Sequence, residues 1–197
     1  RLIRVTLTDG NSQMLVASYN GKVVRFPEDT VRPMGRTATG VRAIKLDEDG
    51  KDRVVGMICV EEGSKDSVLV ISEKGYGKRT LLDDENGEPI YRITNRGGKG
   101  VKTMNLTDKT GNLIGLDAVN DDMDLMLITK AGTAIRMAMN TISVLGRATQ
   151  GVKLIELQKR NDTLMFGCTV PKEDAEEVAE TTNDSIEQTE NNNNEQL

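Results

Sequence analysis

Gly40-Val41-Arg42-Ala43-Ile44-Lys45-Leu46, Gly100-Val101-Lys102-Thr103-Met104-Asn105-Leu106 and Gly151-Val152-Lys153-Leu154-Ile155-Glu156-Leu157 are three versions of one pattern, spaced 60 and 51 residues apart. A pair of apolar runs precedes each: Met14–Tyr19 with Gly21–Phe26, Val68–Ser72 with Gly77–Leu82, and Leu125–Thr129 with Thr133–Met137. Another apolar run follows each, at Val54–Val60, Leu113–Val119 and Leu164–Val170. The runs are short, rich in Val, Ile and Leu, and many are bounded by turn pairs such as Asn20-Gly21 and Ala131-Gly132. That is strand and hairpin chemistry. Four strands recurring at this period predict propeller-type blades. The fold class is therefore all-β, a propeller or pinwheel of four-stranded blades. A β-sandwich with coincidental internal similarity is the rival reading.

The expected units are 13–65, 66–122 and 123–171, with 1–12 as the end of a preceding blade and a linker, including a leading strand at Arg1–Leu7. A closed propeller needs at least four blades. Three units thus predict a partial ring, with further blades N-terminal to it. Residues 172–197 form an acidic, low-complexity tail ending in Asn191-Asn192-Asn193-Asn194, and are expected to be disordered.

The net charge of −5 averages two unlike regions. Residues 172–197 hold nine acids and one Lys, whereas 1–171 hold 25 bases and 22 acids. A mildly basic body carries an acidic end. The absence of His removes the commonest general base and metal ligand. Cys59 and Cys168 both sit in apolar runs and make neither a disulfide framework nor a zinc site. They read as core thiols of a reduced, cytoplasmic compartment. No stretch approaches the ~18 apolar residues of a membrane span, and no secretory leader is expected. Asp83-Asp84-Glu85 and Asp121-Asp122-Met123-Asp124 read as solvated turn acids, because no calcium-loop pattern completes them. No metal, cofactor or catalytic residue is expected. With no Trp, three Tyr and two Phe, a stacking platform for single strands is not expected either.

The cations recur at fixed places. Arg25, Arg79 and Arg136 each lie four residues after a hairpin glycine, with Lys22 and Lys78 in the same runs as the first two. Arg36, Arg96 and Arg147 each lie four residues before the later glycine, and Arg42, Lys102 and Lys153 two after it. Rotation from blade to blade would align them into a basic track. A curved basic track suits bent duplex DNA, whose condensed counterions are released when cations replace them. The loop positions favour DNA. For the strand positions Arg25, Arg79 and Arg136, an inter-blade ion pair is an equal reading.

Several stretches closely resemble the C-terminal domain of gyrase A proteins, part of bacterial DNA gyrase. They are Asn20–Phe26, Val31–Arg42, Gly75–Thr80 and Ile142–Val152, and the likeness extends over about residues 1–170. The resemblance implies a six-bladed β-pinwheel with strand exchange between blades, and DNA wrapping that directs ATP-dependent strand passage towards negative supercoils. It implies partners: duplex DNA, the remainder of gyrase A, and gyrase B in an A2B2 complex, associated with the nucleoid. The cleaving tyrosine lies in a domain without a counterpart here, so this stretch alone is not expected to be an enzyme. Asn95-Arg96-Gly97-Gly98-Lys99-Gly100 is similar to the family's basic glycine-rich box, although it stands in the second unit rather than the first blade. Its glycines would let amides approach a phosphate, with Arg96 and Lys99 supplying charge. Two alternatives remain: the equivalent domain of topoisomerase IV, and a propeller that scaffolds proteins. The DNA-binding candidates are Lys22, Arg25, Arg36, Arg42, Lys78, Arg79, Arg96, Lys99, Lys102, Arg136, Arg147 and Lys153.

The opposed charges of tail and body give a first test. If the tail competes with DNA for the basic body, deleting 172–197 will tighten duplex binding at low salt, and the gain will fade as salt screens both. Unchanged affinity at low salt would leave the tail as a solubilising end.

Overall fold

The computed structural model describes residues 2–48, 50–61, 63–157 and 161–172. The acidic tail beyond 172 lies outside them. The strands are β1 (Gln13–Ser18), β2 (Lys22–Pro27), β3 (Val54–Val60), β4 (Ser67–Ser72), β5 (Tyr76–Leu81), β6 (Val101–Lys102), β7 (Leu113–Val119), β8 (Met123–Thr129), β9 (Ala134–Ala138), β10 (Val152–Lys153) and β11 (Leu164–Pro171). β1–β2, β4–β5 and β8–β9 are tight antiparallel hairpins, and β3, β7 and β11 pair with the other side of β1, β4 and β8.

The fourth strand crosses between units. β6 belongs to the second unit in sequence but pairs with β2 of the first blade, Lys22 opposite Lys102. β10 of the third unit pairs with β5 of the second blade, Val152 opposite Gly77. The sheets therefore read β3-β1-β2-β6, β10-β5-β4-β7 and β11-β8-β9. The repeated phrase is thus a donated strand. Its first copy at 40–46 forms no strand, and among the described residues the β9 edge receives none. Residues 2–9 form no strand either, which corrects the expected leading strand. An isolated edge segment has no ladder to join.

Packing follows from the period-two alternation of strands buried on both faces. In β4, Val68 and Val70 join a core with Leu15, Ala17, Val23 and Ile58 of the first blade. Leu69 and Ile71 face the opposite way, into a core with Leu125, Leu127, Ile142 and Leu164 of the third. The inner strands β3, β7 and β11 adjoin one another, so β6 and β10 lie at the outer rim. Cys59 and Cys168 are free and only half buried.

Two glycines make the exchange possible. Gly100 (φ +72) and Gly151 (φ +81) turn the chain into the donated strand in the left-handed region that side chains avoid. A Cβ there would stand 2.5 Å from the Val23 carbonyl oxygen or 2.7 Å from that of Gly77. Gly40 keeps the same conformation (φ +88) but meets nothing within 4 Å. Gly100→Ala and Gly151→Ala should each destabilise by roughly 2–4 kcal/mol, from backbone strain plus overpacking. Gly40→Ala should cost about 1–2 kcal/mol, from strain alone. Urea unfolding of the three variants checks the ranking.

Candidate nucleic-acid interface

Each crossing segment clasps its host blade before donating its strand. Ile93 bridges Arg25 in parallel, and the Thr94 amide bonds the Arg25 carbonyl at 2.9 Å. Val144 bridges Arg79 likewise, and the Leu145 amide bonds the Arg79 carbonyl at 2.8 Å. The chain then turns through 95–99 or 146–150 and returns as β6 or β10. Those two turns are therefore carried on the outer edges of the first and second blades.

The strand arginines point inward. Arg25 is 5% exposed; it donates to Gln13 Oε1 at 2.5 Å, Asp83 Oδ1 at 2.8 Å, and the Leu82 and Tyr91 carbonyls. Arg79 is buried, bonds the Ile142 carbonyl at 2.9 Å and pairs with Asp121. Both staple their own blade to the next. Arg136 pairs within its own blade with Asp124 at 2.7 Å and donates to the Pro171 carbonyl at 3.0 Å. Of the two readings left open for these three positions, the structure gives ion pairs, with the first two reaching across blades. Asp83, Asp121 and Asp124, read as solvated turn acids, are their partners.

Lys22 pairs with Asp47 at 2.5 Å. Lys78 is fully buried, and its Nζ donates to the Gly146 carbonyl at 2.6 Å, the Arg147 carbonyl at 2.7 Å and Thr149 Oγ1 at 3.0 Å. Burial, and then the neighbouring Arg147, push its ammonium down to about 8. Lys78 is thus an internal tie to the rim turn of its own blade rather than a surface cation.

The remaining candidates lie on either side of the repeat glycines Gly40, Gly100 and Gly151. Arg36, Arg42, Lys99 and Lys102 are exposed, and their side chains have no hydrogen-bond or ion-pair partner among the described residues. Arg96 is half buried and donates from Nε to the Thr30 carbonyl at 3.0 Å. Arg147 is half buried and donates to the Lys102 carbonyl at 2.6 Å. Lys153 pairs with Glu156 at 2.6 Å, a bond that holds its ammonium above its ordinary value. In the glycine-rich box, the Gly97 amide is occupied by the Ala43 carbonyl at 2.6 Å, and the Gly98 carbonyl accepts from Lys45. The expected approach of the Gly97 amide to a phosphate is therefore already taken by the chain's own backbone.

Two surface cations escaped the sequence reading. Arg32 and Arg92 each stand eight residues before the repeat glycine, exposed and without a partner among the described residues. The third unit has Ser143 there, so the position is not basic in every unit. Among the described residues, no group of three His, Cys, Asp or Glu is placed to hold a metal ion, and no helix is long and apolar enough to cross a membrane.

The chain matches the family model of the DNA gyrase C-terminal domain, a β-propeller, over residues 13–61, 66–120 and 124–166. It is 45% identical to the gyrase A protein of Staphylococcus aureus strain MRSA252 over 179 residues, which are 91% of this chain and 19% of that protein. It is 46% identical to the gyrase A protein of strain NCTC 8325 over 176 residues, 89% of this chain and 19% of the relative. The chain therefore spans about a fifth of these relatives. A solved DNA gyrase A C-terminal domain superposes with a TM-score of 0.69 at 26% identity, covering 81% of this chain and 50% of that one. The C-terminal domain of DNA topoisomerase IV superposes with a TM-score of 0.76 at 21% identity, covering 92% and 54%, a likeness of fold.

The inward and outward cations should separate in stability measurements. Arg25→Ala and Arg79→Ala each remove buried bonds and open a cavity, and should cost about 2–4 kcal/mol. Arg36→Ala and Lys99→Ala should stay within about 0.5 kcal/mol of wild type. Denaturant unfolding at constant salt distinguishes the two classes.

Proposed function

Because the chain belongs to the DNA gyrase C-terminal domain family of β-propellers, and so is this domain of a type IIA topoisomerase, we propose that it binds, bends and wraps duplex DNA around its outer rim without reading sequence. The observation that carries this reading is the set of exposed, unpaired cations at repeat-equivalent positions: Arg32 with Arg92, and Arg42 with Lys102 two residues after the repeat glycines, joined by Arg36 before Gly40 and by Lys99 in the rim turn at 95–99. Bending a duplex by 40–90° over 20–30 base pairs costs on the order of 1–6 kcal/mol. Several phosphate contacts distributed along a curved edge offset that cost, and none needs to touch a base. Positions that repeat by rotation give such contacts a regular spacing.

The inward arginines serve this function indirectly. Arg25 and Arg79 hold the angle between successive blades, and that angle sets the curvature of the track. In the full assembly, the domain would hold a wrapped segment beside the site of strand passage, together with gyrase B and the remainder of gyrase A, in ATP-dependent negative supercoiling. The chain itself supplies contacts and curvature, with the cutting chemistry located elsewhere in the assembly. Sequence identities of 45% and 46% to gyrase A proteins favour gyrase over topoisomerase IV. Unpaired rim cations favour nucleic acid over a protein-scaffold role.

The test is duplex affinity of the 197-residue chain as a function of salt. The logarithm of the association constant should fall linearly with log salt, by about 0.9 per phosphate contact. Arg36→Ala, Lys99→Ala and Lys102→Ala should each reduce the slope by about 1, equally on unrelated sequences. A flat salt response would reject DNA binding in favour of a protein scaffold, and a loss confined to particular sequences would reject phosphate contact.

A further inference from the structure

Buried lysines ordinarily face a carboxylate, since an unpaired charge removed from water is costly. Lys78 instead has as its three partners the carbonyls of Gly146 and Arg147 and the hydroxyl of Thr149. The charged group that acts on it is the guanidinium of Arg147, a second cation. Two positive charges thus share one rim turn, and among the described residues no carboxylate bonds the lysine.

Peptide geometry says what faces the other way. No peptide bond in the described chain is cis, so each N–H points opposite to the carbonyl of its own plane. With the Gly146 and Arg147 carbonyls drawn inward to Lys78, the amides of Arg147 and Ala148 are turned outward. Neither donates to any acceptor among the described residues. The turn is fixed from both sides: the Thr149 amide bonds the Gly146 carbonyl at 3.2 Å, Thr80 Oγ1 bonds the Leu145 carbonyl at 2.9 Å, and Gln150 reaches Thr107 at 3.1 Å. Successive unpaired amides in a turn are the kind of group that accepts an anion, and the buried ammonium behind them adds positive charge.

We propose that Lys78, Arg147 and the outward amides of Arg147 and Ala148 form a cradle for one backbone phosphate of duplex DNA on the rim of the second blade. The phosphate oxygens accept from the two amides, and the anion supplies the counter-charge for Lys78 and Arg147. Lys78 is a positioning residue, because it shapes the turn from behind without touching the ligand. The first blade is built differently. The equivalent of Lys78 there is Val24, and the amide equivalent to that of Ala148, on Gly97, is closed by Ala43. The inference rests on the DNA-binding reading above and adds a specific contact to it.

The charged group that acts on Lys78 is Arg147 on the turn, which also acts on Tyr91; Tyr76, two residues along the same face of β5, carries the Lys153 ammonium 6.0 Å from its ring, with Lys153 paired to Glu156. The Tyr91 phenol bonds Thr103 at 2.7 Å and is held above its ordinary value by burial. Arg79 with Asp121 occupies the opposite face of β5, the next residue along. With Lys78 titrating at about 8, its share of the cradle's charge is present below pH 8 and is lost as pH rises through it, while Arg147 keeps its own.

The test is NMR titration of the isotope-labelled 197-residue chain, wild type and Lys78→Gln, with a mixed-sequence duplex and separately with inorganic phosphate. In the wild type, duplex should move the Arg147 and Ala148 amide protons downfield and raise the Lys78 titration above about 8. The affinity read at those two amides should fall about fivefold to tenfold between about pH 7 and pH 9.5, as the ammonium loses its charge. Lys78→Gln should weaken the same two responses by a similar factor while Lys99 and Lys102 still respond. The pH series uses the wild type alone and stands even if the variant fails to fold. Duplex binding that leaves Arg147 and Ala148 unmoved would overturn the cradle and leave the wrapping reading intact. A response to inorganic phosphate but not to duplex would also overturn it. Absence of salt-dependent duplex binding would overturn both.

Discussion

No blade is finished by the unit that begins it. A three-stranded sheet has an exposed outer edge, and the next unit closes that edge with two residues held by a glycine. The closure depends on close approach: Gly100 and Gly151 lie where a Cβ would strike the carbonyl of Val23 or Gly77. Everything at the rim follows from it. The turns at 95–99 and 146–150 exist because the chain must pass from its parallel bridge beside Arg25 or Arg79 to its antiparallel pairing beside Lys22 or Tyr76. Covalent continuity and rim geometry are one constraint.

That constraint sorts the cations. A guanidinium on β2 or β5 sits where two blades and a crossing segment converge, surrounded by carbonyls in need of donors, and it is drawn inward. Five donors in a planar fork suit such a junction better than an ammonium does. Residues in the loops around the repeat glycines have water on one side, and Arg36, Arg42, Lys99 and Lys102 remain there. Blade-to-blade stapling and the proposed anion binding therefore draw on the same residue types at different depths of one repeat.

Much of the fold was legible in the sequence. Val54–Val60 and Leu113–Val119 stand as strands with their expected limits, and the hairpins fall within a residue or two of their apolar runs. Periodicity and turn chemistry are local, so sequence carries them well. Partner choice is not local. Nothing in Gly100–Leu106 by itself says that it joins β2 rather than its own hairpin, and family resemblance supplied that exchange. Residues 2–9 show the converse, since an apolar alternation with no ladder beside it stays irregular. At the candidate interface, recurrence marks equivalent positions but not their depth. Arg25 and Arg36 recur equally well, yet one is buried and the other exposed. The acids that pair with the strand arginines come from turns of unequal length, so Asp83 and Asp121 shared no offset that a repeat would register. Lys78 looked like another basic residue because only three-dimensional packing reveals the carbonyls around it.

Donation from the following unit also imposes an order in time. The edge of β2 is complete by Pro27, but its cover arrives only at Val101–Lys102, about 75 residues later. At ribosomal rates of roughly 5–20 residues per second, that edge waits on the order of 4–15 seconds as the chain emerges. An uncovered strand edge invites pairing with a neighbour, and charged side chains along it are a common safeguard. Lys22 and Arg25 on β2, and Lys78 and Arg79 on β5, stand along the waiting edges. Residues that later staple blades or back a turn can thus keep nascent chains on a polysome apart before their final partners exist.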